Sequence, residues 1–362
     1  MAVKRVDGSA GAPWEPALNG VLDRLVVESE ALASNPLGDP ARRPLYVYRS
    51  PGVAGGLAVD VATVYVIQGF TGQLDMWLSR SAFEPNQVER LDALYSAGAP
   101  ACPEGIIVFV DAWTSLGGSQ FLDSPAVGNY LTYLCDELVP FIDASYPTAG
   151  TPAHRGIAGK SSGGYGAMVA PMLRPDVFGA LASHAGDALF ELCYLPGIAK
   201  AIRALRDDFD GQVERFRAEF DARETLDWSR HGELLNIYAM AAAYSPDPDP
   251  DRPGAVRLPV DPATGLLDEA VWALWLEHDP VRMAPRHAEA LRGLRRIYLD
   301  AGRSDEYFLD VGAQAFAAEL AKLGVAHTLE LFPGRHGGIS HRYPPAVREL
   351  LRALSDQSPT GL

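Results

Sequence analysis

The pattern Gly159-x-Ser161-x-Gly163 constrains the fold of this chain more than any other feature. It lies between a short apolar stretch at 156–158, which predicts a strand, and the run 167–173, which predicts a helix. A sharp turn from strand to helix brings both glycine positions against other backbone, and it holds the serine in an unfavourable backbone conformation. The pattern therefore predicts a strand–turn–helix unit that presents Ser161 as a nucleophile.

Other interpretations of this stretch stay open at the level of sequence. Lys160-Ser161 after a glycine is similar to the end of a phosphate-binding loop, but that loop needs another glycine where the chain has His154. A glycine-rich structural turn is a second interpretation. Ser162 is an alternative nucleophile, although Lys160 would crowd the turn at the position that a glycine should occupy.

Strand patterns alternate with helix patterns through most of the chain. The predicted strands are 22–29, 44–49, 63–67, 105–110, 156–158, 178–183, 294–299 and 327–332, and the predicted helices are 130–142, 167–173, 312–323 and 345–354. The first two strands are joined by a link rich in Gly, Pro and Asn, which favours an antiparallel pair at a sheet edge. Continuous apolar strands suit a parallel sheet covered on both faces. The sequence thus predicts an α/β fold with a doubly wound, mostly parallel sheet.

Residues 189–290 interrupt this alternation. Their helix patterns are 198–206, 213–220, 234–244 and 269–276. Between them, 245–253 alternates Pro with Asp, which excludes a helix and predicts a solvated loop. We therefore expect an α/β core made of 1–188 and 291–362, and a mainly helical insertion, 189–290, that covers the site as a lid.

Composition and charge exclude several partners. The chain has 46 acidic and 31 basic residues and a formal charge of −15, and such a surface repels nucleic acid and anionic membranes. No apolar run approaches the roughly 20 residues that span a bilayer. The three cysteines, Cys102, Cys135 and Cys193, are too widely spaced for a disulfide framework or a metal site. Free thiols and the lack of an apolar segment after Arg5 predict a cytoplasmic protein without a signal peptide, metal or cofactor. Homo-oligomerisation stays open.

A serine nucleophile needs a general base, and the base needs an acid that orients it. Asp305 comes after the strand at 294–299, and His336 comes after the strand at 327–332. Loops at the carboxyl ends of parallel strands gather at one edge of the sheet. The order serine, acid, histidine is that of α/β-hydrolases. We therefore predict a catalytic triad of Ser161, Asp305 and His336.

Each partner of the serine has alternatives in the sequence. Asp300 and Glu306 are alternative acids, and His341 is an alternative base. Asp305 is also suited to cap a helix that begins near Phe308.

Acyl transfer also needs two backbone N–H groups aimed at the developing negative charge. One is expected from Ser162, the residue after the nucleophile. The other is expected from the loop 68–72 after the strand at 63–67, where we choose Phe70. The sequence predicts an oxyanion hole built from these two N–H groups.

Aromatic side chains are candidates for a substrate pocket, because such pockets are lined mainly by apolar groups. We predict as substrate-binding residues Trp113, Phe121, Phe190, Tyr194 and Trp272. Packing of the insertion's own helices is the other interpretation of its aromatic residues. The predicted pocket is hydrophobic and partly enclosed, and it should prefer small or aromatic esters to long lipids.

Together these segments resemble the putative-esterase family of α/β-hydrolases, which includes S-formylglutathione hydrolases, enterochelin and feruloyl esterases, and mycolyltransferases. The resemblance is carried by 68–72, 117–124, 136–141, 159–164, 299–305 and 333–336. It implies an α/β-hydrolase fold, the same triad, and a serine carboxylesterase that cleaves a small-molecule ester through an acyl-enzyme. Many members have His-Gly before the oxyanion loop, where this chain has Gln68-Gly69. The alternatives are an acyltransferase with the same triad and a non-catalytic binding protein on a hydrolase fold.

Overall fold

The computed structural model describes residues 16–249 and 254–355. Residues 250–253 of the predicted Pro/Asp loop lie outside these ranges, as does the amino-terminal segment on which the signal-peptide prediction rests. The strands are β1 (Val21–Glu28), β2 (Arg42–Arg49), β3 (Ala62–Ile67), β4 (Gly105–Val110), β5 (Asp123–Ser124), β6 (Gly128–Asn129), β7 (Arg155–Lys160), β8 (Ala180–His184), β9 (Arg296–Gly302) and β10 (Thr328–Phe332).

Eight of these strands form one sheet in the order β1-β2-β4-β3-β7-β8-β9-β10. β2 pairs antiparallel with both β1 and β4, and every other neighbouring pair in this sheet is parallel. β5 and β6 form a separate antiparallel hairpin. The mostly parallel sheet with an antiparallel pair at its edge, predicted from the sequence, is confirmed.

Helices flank the sheet. The α-helices are α1 (Pro51–Ala54), α2 (Gln87–Asp92), α3 (Tyr130–Thr132), α4 (Val139–Ser145), α5 (Ser162–Leu173), α6 (Phe190–Cys193), α7 (Leu195–Phe209), α8 (Val213–Ala222), α9 (Trp228–Tyr244), α10 (Glu269–Glu277), α11 (Pro280–Arg286), α12 (Ala288–Arg292), α13 (Leu309–Lys322) and α14 (Tyr343–Ser355). A π-helical turn joins α3 to α4, and 3-10 turns cover Leu74–Leu78, Ala93–Tyr95, Pro152–His154 and Ser340–Arg342. None of the helices in the described ranges is long and apolar enough to cross a bilayer.

Side chains of the central strands alternate between two apolar cores. In β4, Ile106, Val108 and Val110 belong to the core on the α5 side, whereas Ile107 and Phe109 belong to the core on the α14 side. Every residue of β4 is buried. A strand buried on both faces must be apolar at every position, which explains the continuous apolar runs of the sequence.

The described part of 189–290 forms seven helices, α6 to α12, the last of which continues to Arg292, and the sequence predicted four of them. The three missed helices, α6, α11 and α12, have four to seven residues and are too short to show helical periodicity. Apolar side chains of this segment, such as Phe190, Ile198 and Trp275, belong to the same continuous core as Tyr165 of α5. The helices therefore pack directly on the α5 side of the sheet.

Candidate active site

Ser161 occupies a strained turn between β7 and α5. Its φ of 58° and ψ of −128° lie in a region that side chains rarely adopt. The Ser161 N–H holds this turn by donating to the carbonyl oxygens of His184 (3.0 Å) and Ala185 (3.1 Å), just beyond the end of β8. A Cβ atom on Gly159 would lie 2.3 Å from the Gly163 oxygen, so only glycine fits there. The local geometry is therefore that of the predicted strand–turn–helix unit.

The turn also presses against the loop after β3. A Cβ atom on Gly163 would lie 2.6 Å from the Ile67 oxygen, and one on Gly69 would lie 2.8 Å from the Lys160 oxygen. These contacts fix the distance between the two segments that are predicted to form the oxyanion hole.

The structure brings Asp305 and His336 together. Asp305 Oδ2 lies 2.8 Å from His336 Nδ1, and Asp305 Oδ1 accepts the Tyr307 N–H at 2.9 Å. The Asp305 side chain is buried, whereas His336 and Ser161 line the same cavity. The carboxylate therefore holds both the tautomer and the orientation of the imidazole.

The alternative acids have other partners. Glu306 Oε2 accepts the backbone N–H of His336 at 2.9 Å, so this carboxylate anchors the loop and not the ring. Asp300 lies inside β9, which is longer than predicted, and its Oδ1 lies 2.8 Å from Nδ1 of the buried His184. His341, the alternative base, does not line the cavity; its Nδ1 lies 3.2 Å from the Gly338 oxygen.

Two residues that line the cavity have backbone N–H groups without acceptors. Within the described residues, neither the Phe70 N–H nor the Ser162 N–H donates a hydrogen bond. The loop that carries Phe70 is held by a bond from the Thr71 N–H to the Gly117 oxygen at 2.7 Å, with Thr71 at a φ of 64°. Unpaired donors at such a position are suited to a developing oxyanion.

Gln68, which precedes the predicted oxyanion loop, is buried and does not line the cavity. In the orientation that satisfies its neighbours, its amide oxygen accepts the N–H groups of Ala112 (2.7 Å) and Trp113 (2.9 Å), and its NH₂ donates to Val110 (2.5 Å). The side chain therefore ties the loop after β3 to the end of β4.

A cavity of about 880 Å³ opens over Ser161. Helix α9 contributes one face to it, with Trp228, Gly232 and Asn236 spaced four residues apart. The Trp228 ring lies 6.3 Å from the Phe70 ring, and the Tyr307 ring lies 5.0 Å from the imidazole of His336 in an edge-to-face arrangement. Partly exposed aromatic rings thus flank the serine on two sides.

Of the five predicted substrate-binding residues, the structure places only Tyr194 in the cavity lining. Phe121, Phe190 and Trp272 are at most 7% exposed and pack inside the core around α5. Trp113 is partly buried at the end of β4, where its carbonyl oxygen accepts a hydrogen bond from Arg43. These four residues are a correction to the predicted pocket: none of them lines the cavity, and three are taken up by the apolar core.

Among the cavity-lining residues that the sequence did not predict are Asp187, Trp228 and Lys160. Asp187 follows β8 just as Asp305 follows β9, so the rule about carboxyl ends of parallel strands would have found it. Trp228 is the first residue of α9. In the sequence, the face of α9 that lines the cavity is marked only by residues four positions apart, which does not distinguish a cavity face from a packed face. The sequence pattern around Lys160 indicated a phosphate-binding loop or a crowded turn at Ser162, and neither interpretation placed its side chain in a substrate cavity.

Burial shifts the pKa of two of these groups in opposite directions. Desolvation raises the pKa of Asp187, although hydrogen bonds from Tyr194 and Gln120 oppose the shift. Desolvation also lowers the pKa of Lys160, although the nearby carboxylates of Asp305 and Asp187 oppose it.

Backbone strain is concentrated around this cavity. Nine non-glycine residues in the described ranges have a left-handed φ. Those in or beside the cavity-forming segments are Thr71, Gln120, Phe121, Ser161, Ala185, Leu189 and Phe308. Strain of this kind persists only where surrounding structure enforces it, and it is typical of functional sites.

The fold is similar to that of several solved structures. A ferulic acid esterase aligns with a TM-score of 0.59 at 18% identity, covering 94% of this chain and 100% of its own. An S-formylglutathione hydrolase from Agrobacterium tumefaciens aligns with a TM-score of 0.57 at 16% identity, covering 94% and 98%. A ferulic acid esterase from Anaeromyces mucronatus, solved with ferulic acid, gives 0.52 at 14% identity, covering 95% of each chain. At these identities the similarity establishes the α/β-hydrolase fold. No curated protein matches the chain.

The family comparison goes further than the fold. The sequence model described as "Putative esterase" matches residues 123–340, which is more than half of the 362 residues. The matched segment runs from the β5 strand to the turn after His336, and it includes Ser161 and Asp305. The chain therefore belongs to the putative esterase family, and it is a serine hydrolase of carboxylic esters.

Proposed function

We propose that this protein hydrolyses a small or aromatic carboxylic ester through an acyl-enzyme formed on Ser161. The observation that carries the proposal is the Asp305–His336 pair, at 2.8 Å, which borders the same cavity as the strained Ser161. A nucleophile, a base and an orienting acid that meet at one cavity are the parts that acyl transfer requires.

In the first half of the reaction, Ser161 Oγ attacks the carbonyl carbon while His336 Nε2 takes the hydroxyl proton. The carbonyl oxygen becomes an oxyanion held by the N–H groups of Phe70 and Ser162. The bond from the carbonyl carbon to the alcohol oxygen then breaks, and the imidazolium gives its proton to the leaving alcohol. Asp305 stays ionised and stabilises the imidazolium.

In the second half, water replaces the alcohol. His336 takes a proton from the water while the water oxygen bonds to the acyl carbon. The bond between the acyl carbon and Ser161 Oγ then breaks, and His336 returns the proton to Oγ as the free acid leaves. His336 can serve both halves, since Asp305 engages only Nδ1 and leaves Nε2 without a partner among the described residues.

The walls of the cavity support the choice of substrate. Phe70, Trp228 and Tyr307 offer ring faces and edges near the serine, which favour an aromatic or compact apolar group. Helices α7 and α9 close one side, and the ion pair between Lys200 and Glu233 (3.1 Å) joins them. We infer that the segment 189–290 acts as a lid that limits the length of the ester.

A fluorophosphonate probe followed by intact-mass analysis tests the nucleophile. We expect one adduct on the wild-type protein, located at Ser161, and none on Ser161→Ala. In parallel, 4-nitrophenyl esters from acetate to dodecanoate and a benzoate test the substrate class. Turnover should be highest for the short and aromatic esters and should fall for the long chains. An unlabelled, folded wild-type protein that hydrolyses none of these esters would refute the proposal.

A further inference from the structure

Asp187 is a buried acid of the cavity that the proposed mechanism does not use. It lies three residues beyond the end of β8, is 5% exposed, and lines the same cavity as Ser161. Its carboxylate makes no hydrogen bond to His336 in the structure. A further role must therefore be sought in its own contacts.

All the hydrogen bonds to this carboxylate go to one oxygen. Asp187 Oδ2 accepts from Tyr194 OH (3.0 Å), Ser162 Oγ (3.2 Å) and Gln120 Nε2 (3.3 Å). Oδ1 accepts no hydrogen bond within the described residues. It is also not one of the solvent-inaccessible polar atoms that lack a partner, so it is accessible from the cavity. The carboxylate is thus fixed by one oxygen, and the other oxygen opens into the cavity.

The protein maintains this arrangement at a cost. Desolvation raises the pKa of this largely buried carboxylate, and the chain supplies donors to only one of its two oxygens. The backbone is also strained around it, since Gln120 has a φ of 54°, and Ala185 and Leu189, on either side of Asp187, have φ values of 44° and 57°. An acid held in this way, with one acceptor open, points to a ligand that supplies the missing donor.

The donor is selected by the other groups of the cavity. Lys160 lines it as well, and within the described residues its ammonium group has no ion-pair partner. A second cation close to this ammonium would be repelled, which disfavours a charged amine on the substrate. An ether or an alkyl group cannot donate to Oδ1. The group must therefore be a neutral donor, and a hydroxyl group is the simplest neutral donor that an ester can carry.

We propose that Asp187 is a specificity-determining residue whose Oδ1 accepts a hydrogen bond from a hydroxyl group of the ester. This inference rests on the proposed esterase function and adds the substrate's polar group to it. The hydroxyl can belong to the acyl part or to the alcohol part, and the two sources are distinguished by the substrates of the test.

The test uses two matched series of esters. In the acyl series, 4-nitrophenyl benzoates carry a hydrogen, a hydroxyl or a methoxy group at ring position 4, from which the hydroxyl cannot reach the ester carbonyl. In the alcohol series, acetates of ethanol, ethylene glycol and 2-methoxyethanol carry the same three groups. For the wild-type protein we expect kcat/KM of the hydroxyl ester to exceed that of the methoxy ester by roughly tenfold or more in one series.

Asp187→Asn is the informative variant. In this variant the amide oxygen can accept the three hydrogen bonds that Oδ2 accepts in the wild type. The NH₂ group then takes the place of Oδ1 and points toward the cavity. Because an NH₂ group donates to a hydroxyl and to an ether oxygen alike, the hydroxyl-to-methoxy ratio should fall close to one. Asp187→Ala should also bring the ratio close to one, and it serves if Asp187→Asn does not fold. The matched control is Glu233→Gln, which changes a cavity carboxylate already paired with Lys200 and should keep the wild-type ratio.

The readout separates this inference from the proposed function. Hydrolysis of the unsubstituted esters with a ratio near one in both series overturns the role of Asp187 and leaves the esterase intact. A wild-type preference that persists in both Asp187 variants also overturns it. Absence of hydrolysis and of Ser161 labelling is instead the failure of the proposed function. A preference that is lost in the Asp187 variants and kept in Glu233→Gln supports the inference.

Discussion

Nδ1 of His336 lies 2.8 Å from Oδ2 of Asp305, although 31 residues separate them in the chain. The contact arises because β9 and β10 are parallel neighbours, with Leu299 beside Leu329, so that the loops after both strands leave the sheet at the same edge. Ser161 leaves that edge at the end of β7. Sheet topology, and no local signal, therefore places the three groups around one cavity.

The first prediction concerns the two adjacent serines. Ser161→Ala should lower kcat by roughly 10⁴–10⁶-fold, because no acyl-enzyme can form. Ser162→Ala should be far milder, because it keeps the backbone N–H and removes only the hydroxyl that donates to Asp187. Steady-state kinetics on a 4-nitrophenyl ester, with circular dichroism as the folding control, measures both. An inactive Ser162→Ala beside an active Ser161→Ala would reverse the assignment of the nucleophile.

The second prediction separates two neighbouring acids. Asp305→Asn should lower kcat by roughly 10³–10⁴-fold, because the amide favours the wrong tautomer of the imidazole. Glu306→Gln is the matched control, since a glutamine can still accept the His336 N–H, and it should change kcat by less than about tenfold. Kinetics of both variants under identical conditions decides the question. Equal losses would mean that Glu306 contributes directly to orienting the ring.

The third prediction concerns the stability cost of Lys160. Because burial lowers the pKa of this amine, the folded state disfavours its cationic form. That cost is fully present below the lowered pKa, and it disappears as the pH rises through the ordinary value of 10.5. Lys160→Met should therefore raise the free energy of unfolding at pH 7 by roughly 0.5–2 kcal/mol, and the gain should shrink toward pH 10.5.

Urea unfolding across this pH range measures the effect. Lys200→Met is the control, because Lys200 is mostly exposed and forms a surface ion pair with Glu233. Its effect should stay within about 0.5 kcal/mol at pH 7. A loss of stability in Lys160→Met at pH 7 would contradict the interpretation and indicate that the ammonium is well solvated.

The fourth prediction contrasts two tryptophans of the same segment. Trp228 is 51% exposed, and its ring lies beside that of Phe70 in the cavity lining. Trp228→Ala should raise KM for aryl esters severalfold and leave stability nearly unchanged. Trp272, 7% exposed, packs against Trp275 at 5.8 Å, so that Trp272→Ala should cost about 3–5 kcal/mol of stability. Steady-state kinetics and thermal unfolding of both variants measure these effects. If Trp272→Ala raised KM and Trp228→Ala lost the stability instead, Trp272 would be the residue that touches substrate.

Much of the fold follows from local patterns. The continuous apolar run of β4 requires burial on both faces, and the glycines around Ser161 require close backbone contact, so both were readable from the sequence. The sequence predicted the ends of helices and strands less well. β9 continues past its predicted end and includes Asp300. A charged residue is not expected inside a buried strand, but His184 and Arg342 pair with the Asp300 carboxylate and so allow it there.

The sequence by itself determined the strand–turn–helix unit at Ser161 and the order in which Asp305 and His336 follow their strands, because both depend on short-range backbone geometry. Only the tertiary structure decided which side chains border the cavity. Phe190 and Trp272 have the apolar aromatic side chains expected of a pocket, yet both are buried in the core, whereas Trp228 is exposed and lines the cavity. Periodicity shows that a helix has an apolar face, but the neighbouring elements decide whether that face meets a core or a substrate.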